Sequence, residues 1–290
     1  MATRKSPSPH SVVQAHQAIS KYSRLTDEEI PLLEVALMIA LIEYPKLNVR
    51  AEYDKIDQIV AGAAGRVRLA RDGEDDAIKS INSYLFTELG FRGDNDDYYN
   101  PRNSLLNNVV ERRRGIPITL SAIYLEVAWT VGVDAFGVGF PGHFIVGFHS
   151  QYRENRYLDP FNDGRELDRG SMQEILDRIY GGRMAFDESF LRPTTKRMIL
   201  VRMLNNLRST YLQDTGDLGK ALEVLNCICV LTPDSSPEVR DRGLLNFHLQ
   251  KYEAAIRDLL YYLKIAPHAA DADSIRVVVE QIQSTIEKGR

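Results

Sequence analysis

A histidine and an aspartate, His143 and Asp159, stand in two short apolar stretches separated by a polar run. The first stretch reads Gly139-Phe-Pro-Gly-His-Phe-Ile-Val-Gly-Phe148 and the second Tyr157-Leu-Asp-Pro160. A carboxylate bonded to an imidazole fixes its tautomer and orientation, which suits the ring for proton transfer beside a nucleophile. If 143 and 159 face each other across a hairpin, the turn centres on Gln151, within the polar run Ser150–Asn155, and Ile145 faces Tyr157. Period-two alternation then puts His143, Ile145, Tyr157 and Asp159 on one face, and Phe144, Val146, Phe148 and Leu158 on the other. Directly opposed residues have Cβ atoms about 5 Å apart, within reach of an aspartate–imidazole bond. The same spacing also suits a purely structural pair.

Such a pair needs a nucleophile. The only cysteines, Cys227 and Cys229, sit two apart in a helical pattern, point to different faces and read as packing residues. The hydroxyls of Thr119 and Ser121 lie near the start of a helix opening at Pro117, the favoured first position for proline. That end offers free N–H groups and a positive dipole, an oxyanion-type environment. Ser121 lies about 6 Å along the axis from Pro117 at 1.5 Å per residue, and Thr119 is branched and stiff. Local backbone bonding is the competing role for both hydroxyls. Asn103, Asn107 and the Arg112–Arg114 triplet, with Arg113 at its centre, lie just before this helix. They either line the same cleft for an anionic or peptide ligand or complement a helix C-terminus. Tyr124 is two turns beyond Pro117 on roughly the same face, placed for the cleft or for the core. His10, His16, His149, His248 and His268 form no metal-ligand spacing, and no cofactor is expected.

The elements that hold these residues follow from periodicity and punctuation. Helices are expected over 26–43 (capped at Thr26), 51–69, 75–89, 102–113 (ended by Gly115) and 117–131. The last is apolar on most sides and belongs in a core. Strands are expected over 135–148 and 155–159, then a helix over 171–180 and an irregular connection over 181–195. From 196 the pattern is continuous helix. Ala221 and Ala255, Leu225 and Leu259, and Pro233 and Pro267 are each 34 residues apart. That helix–turn–helix period, with small residues at the contact and proline closing each unit, marks two tetratricopeptide repeats. Residues 271–288 supply the capping helix that solenoids need. Two repeats are too few to stand alone, so their first helices should pack on the preceding domain, with Asn206 as a groove residue.

The chain has 290 residues and a net charge of -4, so no global charge draws it to nucleic acid or to anionic membrane. Its longest apolar stretch, Ile30 to Tyr44, is too short to span a bilayer and is broken by Glu34 and Glu43. The N-terminus lacks an apolar signal region, and residues 1–25 read as a disordered or loosely ordered tail. Together with the unpaired cysteines this suggests the cytoplasm.

A buried helix with a sharp N-terminus, a strand with Gly-His and a strand ending in Leu-Asp-Pro resemble the transglutaminase-like core of the papain-like superfamily. There a cysteine stands at the helix N-terminus, histidine on the next strand and aspartate on the following one. His143 and Asp159 match the last two positions; the cysteine position falls near Pro117, within Gly115-Ile-Pro-Ile-Thr119. The chain is more closely similar to the bacterial SirB-type family, regulators of sirC expression that join such a domain to tetratricopeptide repeats. The shared segments are Tyr84–Gly93, Tyr98–Asn107, Arg112–Ser121, Gly139–His143 and Leu158–Phe161. The resemblance spans roughly residues 27–266.

The expected fold is therefore an α+β transglutaminase-like domain at 26–195 and an all-α repeat region at 196–290. The first functional expectation is a degenerate enzyme that binds a protein or peptide through the repeat groove and the core-domain cleft. The second is a hydrolase or acyl-transfer enzyme using Thr119 or Ser121 with His143 and Asp159.

Overall fold

The computed structural model describes residues 14–67, 73–150 and 154–288. The N-terminal part begins with α1 (Ala15–Ser20), α2 (Leu32–Ile39), α3 (Val49–Val67) and α4 (Glu74–Asn82), the last continuing as a π-turn over Ser83–Glu88. Strand β1 (Arg92–Gly93), helix α5 (Leu106–Arg112), strand β2 (Arg114–Gly115) and helix α6 (Pro117–Thr130) come next. Strands β3 (Ala135–Val138), β4 (Ile145–Phe148), β5 (Arg156–Asp159) and β6 (Arg165–Leu167) lead to α7 (Arg169–Tyr180) and β7 (Pro193–Thr194). The chain closes with α8 (Lys196–Thr210), α9 (Leu218–Leu231), α10 (Ser236–His248), α11 (Tyr252–Ile265) and α12 (Ala272–Lys288).

The main sheet has the order β6-β5-β4-β3-β7, and all its neighbours are antiparallel. The expected strand over 135–148 is two strands, because Pro141 and Gly142 (φ 65°) turn the chain between them. Helix α6 covers one face, where Phe144, Val146, Phe148 and Leu158 join the large core. Helix α7 covers the other, where Val138, Ile145 and Leu167 meet Met172, Ile175 and Leu176. Helix α6 starts at Pro117 as the sequence requires. The Thr119 hydroxyl accepts a bond from the Ile116 N–H at 3.1 Å, satisfying a donor that the helix start leaves free.

Two helix boundaries differ from expectation. Helix α2 begins at Leu32, behind Pro31, instead of near Thr26. Asp27 is instead spent on another helix: its carboxylate accepts the N–H groups of Lys196 and Arg197 at 2.8 and 2.9 Å, capping α8. Helix α5 ends at Arg113, which adopts the left-handed conformation (φ 59°), so Gly115 is not the terminator. The segment read as an N-terminal tail also differs. Residues 14–25 carry α1, with Ala15 and Ile19 buried against α9, while residues 1–13 lie outside the described residues.

Helices α9 and α11 begin and end 34 residues apart, at Leu218 and Tyr252 and at Leu231 and Ile265. Ala221 and Ala255 are both buried where the helices meet. The turn before α9 uses Gly216 (φ 65°); Gln250 takes the same left-handed position before α11 (φ 57°), without glycine's freedom. The first repeat packs on the core: Leu200, Leu204 and Leu207 of α8 share one buried cluster with α2 and α6.

Candidate functional site

The structure brings His143 and Asp159 together: Nε2 lies 2.9 Å from Oδ2, with both residues buried. The geometry differs from direct opposition. Val146 pairs with Leu158 and Gly147 with Tyr157, so Asp159 is level with Ile145 and His143 lies beyond the end of β4. The register is displaced by two residues, which preserves the facing of every side chain. The expected turn centre at Gln151 lies outside the described residues.

Asp159 also accepts the Phe161 N–H at 3.0 Å and the Asn162 side-chain amide at 2.7 Å. Burial pushes its carboxyl up, but the bond to His143, the charge of that imidazole and the two further donors outweigh this. The carboxyl is held below its usual range. A depressed carboxyl stabilises the fold above its unfolded value, near 4, and this contribution is lost as pH falls through the folded value. Asp159→Asn should therefore flatten the acid limb of the stability profile below about pH 4, measured by urea unfolding at stepped pH.

Neither candidate hydroxyl reaches the imidazole. Thr119 is fully buried; besides accepting the Ile116 N–H, its Oγ1 lies 2.9 Å from the Asn103 carbonyl and 3.0 Å from that of Ile116. Gly115 makes room for this bracket, since a Cβ there would sit 2.6 Å from Thr119 Oγ1. Ser121 is also fully buried, and its hydroxyl has no hydrogen-bond partner among the described residues. An orphaned buried hydroxyl destabilises, so Ser121→Ala should raise stability by about 1 kcal/mol in chemical denaturation. A serine poised for catalysis would instead be needed for turnover.

The predicted binding residues separate. Asn103 is a fully buried strut: its amide donates to the Asp97 carbonyl at 2.8 Å and its Oδ1 accepts from Arg112 at 2.9 Å. Tyr124 is fully buried between Phe86 and Phe148, and burial drives its hydroxyl pKa upward. Neither residue is placed to touch a ligand. Arg113 lies over the Phe91 ring at 4.6 Å, and burial lowers its pKa. Asn107 has a buried, unpartnered Oδ1. Arg112 and Arg114 do not cap α5; they pair with the buried carboxylate of Asp94 at 2.9 and 3.4 Å.

Asn206 lines an open cleft, of about 420 Å³, between the core and the first repeat. One wall is Tyr98, Tyr99, Asn100 and Ser104, with Ile116 from the start of α6. The other is Asn206, Ser209 and Thr210 of α8, followed by Gln213 and Asp214. His143 is not in this lining. The Phe161 ring stands between them, edge-on to His143 at 5.9 Å and to Tyr98 at 5.8 Å.

Arg202, unnoticed in the sequence, links the two regions. It lies one helical turn before Asn206, and its Nη2 donates to the carbonyls of His143 at 2.5 Å and Phe140 at 3.3 Å. Burial lowers its pKa. Its sequence signal is a lone charge within the apolar run Leu200–Leu204.

Residues 50–205 match the transglutaminase-like superfamily and residues 207–280 the tetratricopeptide repeat. A UPF0162 protein of Xylella fastidiosa (strain 9a5c) is 38% identical over 259 residues, covering 86% of this chain and 89% of the relative. This chain belongs to the transglutaminase-like superfamily and to the UPF0162 family within it. The UPF0162 protein of Vibrio cholerae serotype O1 is 26% identical, with 89% of this chain and 96% of the relative covered. F-box only protein 21 of Pongo abelii is 25% identical over 232 residues, covering 74% of this chain and 36% of that protein. No helix among the described residues is long and apolar enough to cross a membrane.

Proposed function

We propose that this UPF0162 protein is a non-catalytic, SirB-type regulatory protein of the cytoplasm. It binds an extended segment of a protein partner in the cleft between its core and its first repeat. The observation that carries this reading is the state of the α6 hydroxyls. Thr119 is bracketed by Ile116 and Asn103, and Ser121 is sealed in the core, so neither meets the imidazole of His143. Both cysteines are buried in α9, and burial raises their thiol pKa values, that of Cys229 to about 11. With these hydroxyls and thiols out of its reach, the oriented imidazole lacks the nucleophile that acyl transfer needs. The pair instead ties the loop ahead of β4 to the end of β5.

The cleft suits recognition. Asparagine and glutamine side chains offer both a donor and an acceptor, as an extended backbone requires. The competing enzyme reading needs Thr119 to leave three bonding partners or Ser121 to leave the core.

Panning a random 12-residue phage-displayed peptide library on the wild-type protein tests this. Enriched peptides should lose about tenfold in affinity for Asn206→Ala, a difference of about 1.4 kcal/mol. No enrichment, or equal affinity for both proteins, would overturn the assignment.

A further inference from the structure

The charges around the cleft narrow its ligand further. Asp214 is its only charged lining residue. It is exposed and makes no ion pair among the described residues. The cations nearby on the same helices are committed elsewhere. Arg202 holds the His143 and Phe140 carbonyls, Arg208 pairs with Asp241 at 3.3 Å, and Lys220 pairs with Glu43 at 2.9 Å. Arg202 keeps its own charge, because carbonyls are neutral, but none of these three cations forms an ion pair with Asp214.

The local backbone explains its position. The helix after α8 widens into a π-turn over Tyr211–Thr215. Tyr211 is buried and donates its hydroxyl to Glu43 at 3.0 Å, while Gln213 and Asp214 face the cleft. Single π-turns recur at functional sites because they redirect side chains without ending the helix.

The opposite wall offers a second attraction for positive charge. Tyr99 is 81% exposed, unusual for a large aromatic ring. It is braced by Tyr98, edge-on at 5.2 Å, which is in turn braced by Phe161. Exposed tyrosine faces attract guanidinium and ammonium groups.

Resting on the peptide-binding reading above, we propose that the cleft selects a segment carrying a lysine or arginine. That side chain lies over Tyr99 and pairs with Asp214, while Asn206 and Gln213 hold the adjoining backbone. An acidic residue at the same place would meet the like charge of Asp214.

The test uses three degenerate, fluorescein-labelled hexapeptide pools, acetylated and amidated so that their termini carry no charge. One pool has a central lysine or arginine, one a central aspartate or glutamate and one neither. Fluorescence anisotropy is read on the full-length protein and on Asp214→Asn and Tyr99→Ala, both at exposed positions. The basic pool should bind at least tenfold tighter than the others, Asp214→Asn should remove that preference, and Tyr99→Ala should weaken binding about fivefold. Equal binding of the acidic or neutral pool, or a preference that survives Asp214→Asn, would overturn the charge assignment while leaving peptide binding intact. Binding of no pool at all would remove both.

Discussion

Asp94→Ala should destabilise the protein by about 3 kcal/mol. At the chain's size of 290 residues this corresponds to a fall in Tm of about 5 °C. Asp94 is 1% exposed and bonds Arg112 at 2.9 Å and Arg114 at 3.4 Å. Burial pushes its carboxyl up, but the Arg112 guanidinium and further hydrogen bonds bring it below the usual range. Arg112 continues to Asn103, whose carbonyl meets the Thr119 hydroxyl at the head of α6. Removing the carboxylate strands the Arg112 guanidinium, while Arg114 keeps Asp96 at 3.3 Å, and loosens the support of that helix start. Water reaches both arginines in part, which keeps the cost at the lower end for a broken buried pair. Urea unfolding measures it, and Asp94→Asn should cost less because one acceptor remains.

Leu204→Ala should cost about 3 kcal/mol, and it should do so everywhere at once. Leu204 is fully buried in the cluster that joins α8 to α2 and α6. The single tryptophan, Trp129, lies in α6, whereas much of the helix content lies in the repeats. If core and repeats unfold as one unit, Trp129 fluorescence and far-ultraviolet circular dichroism will shift to the same lower midpoint. A dichroism midpoint that falls while the fluorescence midpoint stays would separate the two parts.

Local signals made much of this architecture legible. Pro117 fixes the start of α6, and a single 34-residue period fixes the limits of α9 and α11. The hairpin shows where local reasoning stops. A two-residue error in register left the side-chain faces correct, because facing depends on parity alone. It misplaced the reason for the contact: His143 reaches Asp159 from the turn before β4, not from across the ladder. The turn itself was written in Pro141-Gly142 but lay hidden in an apolar run.

The cleft was harder to read. Asn206 lines it, whereas Asn103 and Tyr124 are core residues. Polarity near a helix start does not say whether a side chain faces water or a buried partner. Asn103 meets Arg112 nine positions on, and Asp27 caps a helix 169 positions on. Only the folded chain brings such partners together. The Tyr98–Tyr99 wall had no periodic signature, and Arg202 carried only the weak sign of one charge in an apolar run.

On this reading His143 and Asp159 form a pair without a nucleophile. Labelling with a fluorophosphonate probe, read by mass spectrometry on wild type and His143→Ala, tests it most directly. No hydroxyl should be labelled above the level of heat-denatured protein, and the two proteins should not differ. Stoichiometric labelling of Thr119 or Ser121 in the wild type, lost in His143→Ala, would contradict it.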